Sequence, residues 1–224
     1  MRSRHHNFVS GALALVLAAL WPSPAPAQVE LAPALGTYLP IGGWTQQSDG
    51  GTGYVPRRRQ LAAHLVGARL TAWASGKLGL EGSLAISPSR VAVSTDGNTV
   101  DINGGVFLAS ARALYKVTTL VDGRADDRTR WDLIIGAGAG VVHRSGSAWA
   151  NTSGVTAPAF LLTTAVRTRL AGSLAWRVSL EDFVTWAQFD KGLPSQTRSR
   201  MHHDLVATLS VVVRLAGSSA GGVR

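Results

Sequence analysis

Lys77-Leu-Gly-Leu-Glu-Gly-Ser-Leu-Ala-Ile86 is the stretch that decides the fold. Its even positions Leu78, Leu80, Leu84 and Ile86 are apolar, with Gly82 among them. Lys77, Gly79, Glu81, Ser83 and Ala85 between them are small or charged. A period of two belongs to an extended strand whose successive side chains point to opposite sides, so one face meets an apolar medium and the other a polar one.

The same period recurs in both directions along the chain. In Phe107–Val117 the set Phe107, Ala109, Ala111, Ala113, Tyr115 and Val117 alternates with Ser110, Arg112, Leu114 and Lys116. In Trp131–Val141, Trp131, Leu133, Ile135, Ala137, Ala139 and Val141 face away from Asp132, Gly136, Gly138 and Gly140. Further strands follow at Thr156–Leu170, Ser173–Trp186 and Asp204–Leu215. In the last, Leu205, Ala207, Leu209, Val211, Val213 and Leu215 oppose Val206, Thr208, Ser210 and Arg214. Val29–Pro40 and Gln60–Ala74 complete the set but can be read in either phase, with a bulge expected at Gly67 or near Pro33.

The connections alternate in length. Short turns fall at Ser75-Gly76 and Ala171-Gly172, with a moderate one at Leu120–Arg128. Long loops fall at Ile41–Arg59, Pro88–Asp101, Arg144–Gly154 and Gln188–Arg200. The sequence therefore predicts an all-β fold, an eight-stranded antiparallel up-and-down transmembrane β-barrel with both ends on the short-turn side. Trp73, Tyr115, Trp131 and Trp176 near one set of strand ends, and Phe107, Phe160 and Trp186 near the other, predict two aromatic girdles.

Composition agrees. Charged residues are 16% of the chain, against roughly 25% in soluble domains. Arg2 and Arg4 precede the uncharged stretch Phe8–Trp21 and the small residues Ala25 and Ala27, the layout of a secretory signal peptide. Its apolar core is short for a spanning helix. The domain reading is a signal peptide over 1–27, a barrel over 28–215 and a short tail over 216–224. Loss of the two arginines takes the formal net charge from +9 to +7. With no cysteine, disulfides, thiolate metal sites and cysteine nucleophiles are excluded.

Through Gly67-Ala-Arg-Leu-Thr71, Leu78-Gly-Leu-Glu-Gly82 and the terminal Asp204–Leu215, the chain resembles the outer-membrane β-barrel domain family. These are small barrels typified by the transmembrane domain of outer-membrane protein A. The resemblance covers Val29 to Leu215 and implies an outer-membrane location, contact with outer-membrane lipid and lipopolysaccharide, and insertion by the barrel assembly machinery. That family usually ends its last strand on an aromatic residue, whereas Leu215 stands there in this chain.

Parity places Glu81, Arg112, Arg167, Arg177 and Glu181 on the polar faces of their strands, joined by Arg69 if its strand is phased likewise. On the lipid face an arginine costs roughly 2–4 kcal/mol near the midplane. Inside a narrow barrel it can donate paired hydrogen bonds to carboxylates, and eight strands leave a bore that side chains fill. The expectation is a polar plug of Arg69, Glu81, Arg112, Arg167, Arg177 and Glu181, with room left by Gly136, Gly138 and Gly140.

Other motifs carry less chemistry. His143-Arg144-Ser145 resembles the His-x-Ser pair of the lipid A deacylase family, but Gly146 replaces that family's asparagine and Thr156–Leu170 offers no orienting acid. Gly42-Gly43-Trp44 matches the Gly-x-Trp of lipocalins but lies in a loop after the first strand. His202-His203-Asp204 offers ligand chemistry, yet adjacent strand residues point apart, so no metal site or cofactor is expected. Arg57-Arg58-Arg59 is a candidate contact for lipopolysaccharide phosphates, and Asp96-Gly97-Asn98 reads as a turn. The functional reading is a non-enzymatic, monomeric barrel with no nucleic-acid partner, serving envelope integrity or surface contact through its loops. The alternatives are a lipid A hydrolase and a narrow pore. Protein recovered from membranes is predicted to begin at Gln28, which intact-mass measurement checks; retention of residues 1–27 would contradict the signal-peptide reading.

Overall fold

The structure, a computed structural model, describes residues 28–42, 44–45, 57–95, 98–122, 129–150, 155–187 and 200–216. The signal-peptide stretch, the tail beyond Ala216 and the centres of several long loops lie outside the described residues. Among the described residues twelve strands are formed: β1 (Gln28–Ile41), β2 (Trp44–Thr45), β3 (Arg57–Gln60), β4 (Ala63–Trp73), β5 (Leu78–Ser87), β6 (Arg90–Thr95), β7 (Asn98–Asn103), β8 (Val106–Asp122), β9 (Thr129–Arg144), β10 (Thr156–Ala171), β11 (Leu174–Ala187) and β12 (Arg200–Ala216). Eight of them close a barrel in the order β1-β12-β11-β10-β9-β8-β5-β4. Each pairs antiparallel with its chain neighbour in the barrel, and β1 joins the two ends by bonding to both β4 and β12.

Alternation sets which side of the wall each residue meets. Leu78, Leu80, Leu84 and Ile86 point outward and are exposed, while Gly79 and Glu81 beside them are buried. The same division runs along β8 to β12, so the outside is a predominantly apolar wall rich in leucine, valine, isoleucine and alanine. A soluble monomer rarely exposes an apolar patch larger than a few hundred Å²; this wall is suited to hydrocarbon. Exposed Tyr115, Trp131 and Trp176 ring its short-turn end, and exposed Phe107, Phe160 and Trp186 ring the other. Trp73 departs from the girdle expectation. It points into the bore, where its indole N–H donates to Glu30 at 3.0 Å.

The bore holds three layers. Toward the long loops, Tyr38, Leu65, Leu108, Val142, Leu161, Phe183 and Val206 pack together. Charged side chains occupy the middle. Toward the short turns, Trp73, Leu114, Ile134 and Ala165 form one apolar group, and Ala32, Ala175 and Val212 another.

Two expectations are corrected. The register runs unbroken past Pro33 and Gly67, which pair with Ala68 and Ala34 respectively. Shifts fall instead at Val29/Glu30, Lys116/Thr118 and Arg169/Ala171, near the short-turn rim where strands end. The loops Ile41–Arg59 and Pro88–Asp101 also contain strands, because β2, β3, β6 and β7 form a second sheet in that order. Val91 in this sheet packs on Ala148 and Trp149 of the short 3-10 turn Ser147–Trp149, with Val93, Ile102 and Val155 alongside. The sheet thus has its own small core above the barrel mouth.

Close approach explains one glycine. Gly138 pairs with Arg112 across β9 and β8, and a Cβ added there would lie 2.6 Å from the Cα of Arg112 and closer still to the carbonyl of Ala111. Both obstacles include backbone, so neither can swing aside. Gly138→Val is predicted to block closure between β8 and β9. Unheated Gly138→Val protein would then lose the compact band that closed barrels give in detergent gels, and retention of that band would contradict the close packing.

Candidate functional site

Mid-depth in the bore, Arg69 of β4, Glu81 of β5, Arg112 of β8, and Arg177 and Glu181 of β11 converge. All are at most 4% exposed, so their charges must be met by protein. The Arg112 guanidinium bridges both acids, with Nη2 2.6 Å from Glu81 Oε1 and Nη1 3.0 Å from Glu181 Oε2. Arg69 binds Glu181 on its other side and lies 3.9 Å from Glu81. Arg177 donates to Glu81, and Thr71 donates to the same carboxylate at 2.6 Å. Hydroxyls take the remaining donors: Arg69 donates to Ser210 and Thr208, both at 2.7 Å, and Arg177 Nε to Ser179 at 3.1 Å.

Three guanidinium groups therefore face two carboxylates in a closed lattice. Its charged members come from β4, β5, β8 and β11, so the ion pairs tie β4, β5 and β8 across the bore to β11, and hydroxyls of β12 join them. Between Arg69, Glu181, Leu65 and Phe183 there remains a cavity of about 10 Å³, room for roughly one water molecule.

Arg167, expected in this lattice, lies elsewhere. It sits directly across from Arg177 in the β10–β11 register. Like charges facing each other repel, and the two part, Arg177 turning to Glu81 and Arg167 to Glu30 at 2.8 Å. Glu30 and Trp73 were missed because β1 and β4 are apolar in both phases. The signal that could have placed them is Glu30's parity with Ala32 and Ala34 opposite lipid-suited Leu31 and Leu35.

A second buried charge group closes the long-loop end. Arg144, 1% exposed, binds Asp204 at 2.6 Å, and Tyr38 donates to the other oxygen of Asp204. Trp149 of the second sheet's core stacks above the Arg144 guanidinium at 6.0 Å. The residues read as a His-x-Ser pair are thus divided. His143 faces outward with Nδ1 2.7 Å from the Thr156 hydroxyl, Arg144 points into the bore, and Ser145 is exposed. His202 and His203 likewise point to opposite sides, His202 buried and His203 half-buried outside. Arg57, Arg58 and Arg59 lie in β3 of the second sheet rather than in a loop, and Arg59 is exposed. Among the described residues no three histidine or acidic side chains cluster to hold a metal ion.

The fold is that of the small eight-stranded outer-membrane β-barrels. It is similar to outer-membrane protein OprG of Pseudomonas aeruginosa, with a TM-score of 0.61 and 11% identity over 85% of this chain and 97% of OprG. It is similar also to the outer-membrane protein AlkL, whose structure was determined in lipid bilayers, with a TM-score of 0.52 and 13% identity over 89% of this chain and 96% of AlkL. No protein-family model and no curated protein matches the sequence.

Removing one carboxylate from a buried lattice strands positive charge, at roughly 3–5 kcal/mol. Glu81 meets more cations than Glu30, whose partner Arg167 is less deeply buried. Glu81→Gln is expected to lower the urea midpoint of the refolded barrel more than Glu30→Gln does, and equal midpoints would refute a central role for Glu81.

Proposed function

We propose that this protein is a non-conducting, non-catalytic barrel of the bacterial outer membrane that presents a compact sheet at the cell surface. The observation that carries this reading is the filled bore: an apolar layer, a salt-bridge lattice and a second apolar layer follow one another along it, with the Arg144–Asp204 and Arg167–Glu30 ion pairs toward its two ends. A water column for ions needs a continuous polar path, and eight strands give no spare width for one. The strand ends Gln28 and Ala216 and the turns after Trp73 and Ala171 lie at one end of the barrel and the β2-β3-β6-β7 sheet at the other, which supports an orientation with that sheet outside the cell.

The sheet supports a contact role because Arg59 and Arg90 are exposed on it and Arg57 and Arg58 share strand β3 with Arg59. Guanidinium groups suit bidentate contact with phosphate, and the proposed partner is lipopolysaccharide. Against hydrolysis of lipid A stands the contact of His143, whose Nδ1 is held by the Thr156 hydroxyl and which has no carboxylate partner among the described residues. The barrel is taken to act as a monomer, inserted by the assembly machinery.

The test is parallel. Protein fractionated from whole cells is expected in the outer membrane, to give no steady nanosiemens steps in planar bilayers, and to leave the lipid A mass profile unchanged when overproduced. Stable conductance would overturn the closed bore; loss of an acyl chain from lipid A that disappears in Ser145→Ala would establish the enzyme reading instead.

A further inference from the structure

One ionisable pair lies on the wrong side of the wall for a membrane barrel. Asp182 of β11 and His203 of β12 both point outward, and the carboxylate Oδ2 lies 2.8 Å from the imidazole Nδ1. On β11, Asp182 falls between Trp176 and Trp186, which belong to the two aromatic girdles. Leu162 and Leu205 flank it in register, with Leu180 next on its own face. His203 sits one outward step toward the girdle, level in register with Val184 and Ile41, just below the row of Trp186 and Met201. The carboxylate is thus within the apolar band and the imidazole at its upper edge. An ionisable group at membrane depth is by default a functional site.

We propose that this pair is a lipid-binding site whose ligand is the acyl-ester carbonyl of a lipid in the outer leaflet. The identity of the ligand follows from charge. A net charge in hydrocarbon is costly, so the pair exists in one of its two neutral forms. Either the carboxylate is ionised beside an imidazolium, or a protonated carboxyl donates to Nδ1 of a neutral imidazole. In both forms the proton at Nε2 is present, because Nδ1 is engaged with Asp182 and the ring carries its other N–H at Nε2. The pair therefore presents one fixed N–H donor at the outer wall, and Nε2 has no partner among the described residues.

What lies opposite a donor at this depth is a hydrogen-bond acceptor. Phosphates lie outside the aromatic girdle and hydrocarbon chains offer no acceptor, whereas ester carbonyls lie at the boundary between them. The Asp182 carboxylate orients the ring through Oδ2, and its Oδ1 is covered by protein.

The site rests on the membrane placement proposed above, and ether lipids separate the two. Protein carrying ¹⁵N-histidine is placed in nanodiscs of a diester phosphatidylcholine or of the dialkyl ether analogue, which keeps the phosphate and lacks the carbonyls. Insertion is verified in each by the heat-shifted gel band, whose failure would bear on the membrane reading alone. The expected result is a slowly exchanging, hydrogen-bonded His203 Nε2–H signal in diester discs that shifts upfield and exchanges at least tenfold faster in ether discs. Asp182→Leu, with its fold checked by the same band, is expected to show the ether-type signal in both lipids. An identical His203 signal in the two lipids would overturn the proposal and assign the proton to phosphate or water.

Discussion

A guanidinium buried in a bore eight strands wide cannot reach water, so each must find a carboxylate at its own height or the barrel cannot close around it. The rest of the architecture is arranged to meet that condition. Arg112 lies between Glu81 and Glu181 because β5, β8 and β11 bring their polar faces to the same depth. Gly138 lets β9 lie flush against the backbone that carries Arg112. Apolar layers above and below seal the lattice from bulk water, which strengthens each ion pair by lowering the local dielectric and makes an unpaired member expensive.

The same constraint explains the second charge group. Arg144 enters the bore at the long-loop end, above the apolar layer, and Asp204 with Tyr38 answers it there. Trp149 covers that group from the core of the second sheet, so the sheet is anchored to the barrel through its mouth rather than standing free. The outer wall obeys the opposite rule: nearly every outward position between the girdles is apolar, and the departure at Asp182 and His203 is an internally neutralised pair.

Most of the barrel was legible because a half-polar wall needs strict alternation, and that period survives in a single sequence. Parity correctly separated Arg112 from Ala111 and Ala113, and Glu81 from Leu80 and Gly82. It could not tell which arginine meets which acid, since that depends on the stagger between strands; Arg167 shares the lattice's parity but faces Arg177 and turns away toward Glu30. Trp73 was misplaced for a related reason, its strand being apolar on both faces. The second sheet was missed in part needlessly. Val91 and Val93 alternate on one side of Asp96-Gly97, and Val100 and Ile102 on the other, which is a hairpin pattern; Thr95 indeed pairs with Asn98. The Arg57–Gln60 strand offers no alternation at all, and its place follows from its pairing with β2 and β6.

The dependence of the fold on charge matching is tested most directly by a double-mutant cycle between Glu81 and Arg177. Urea unfolding of the refolded barrel would be followed for Glu81→Gln, Arg177→Met and the two together. If a stranded charge is what destabilises the single variants, Glu81→Gln with Arg177→Met is more stable than Glu81→Gln alone, with a coupling of roughly 1–3 kcal/mol. Additive losses, leaving the double variant the least stable of the four proteins, would contradict the claim that paired charge holds the bore together.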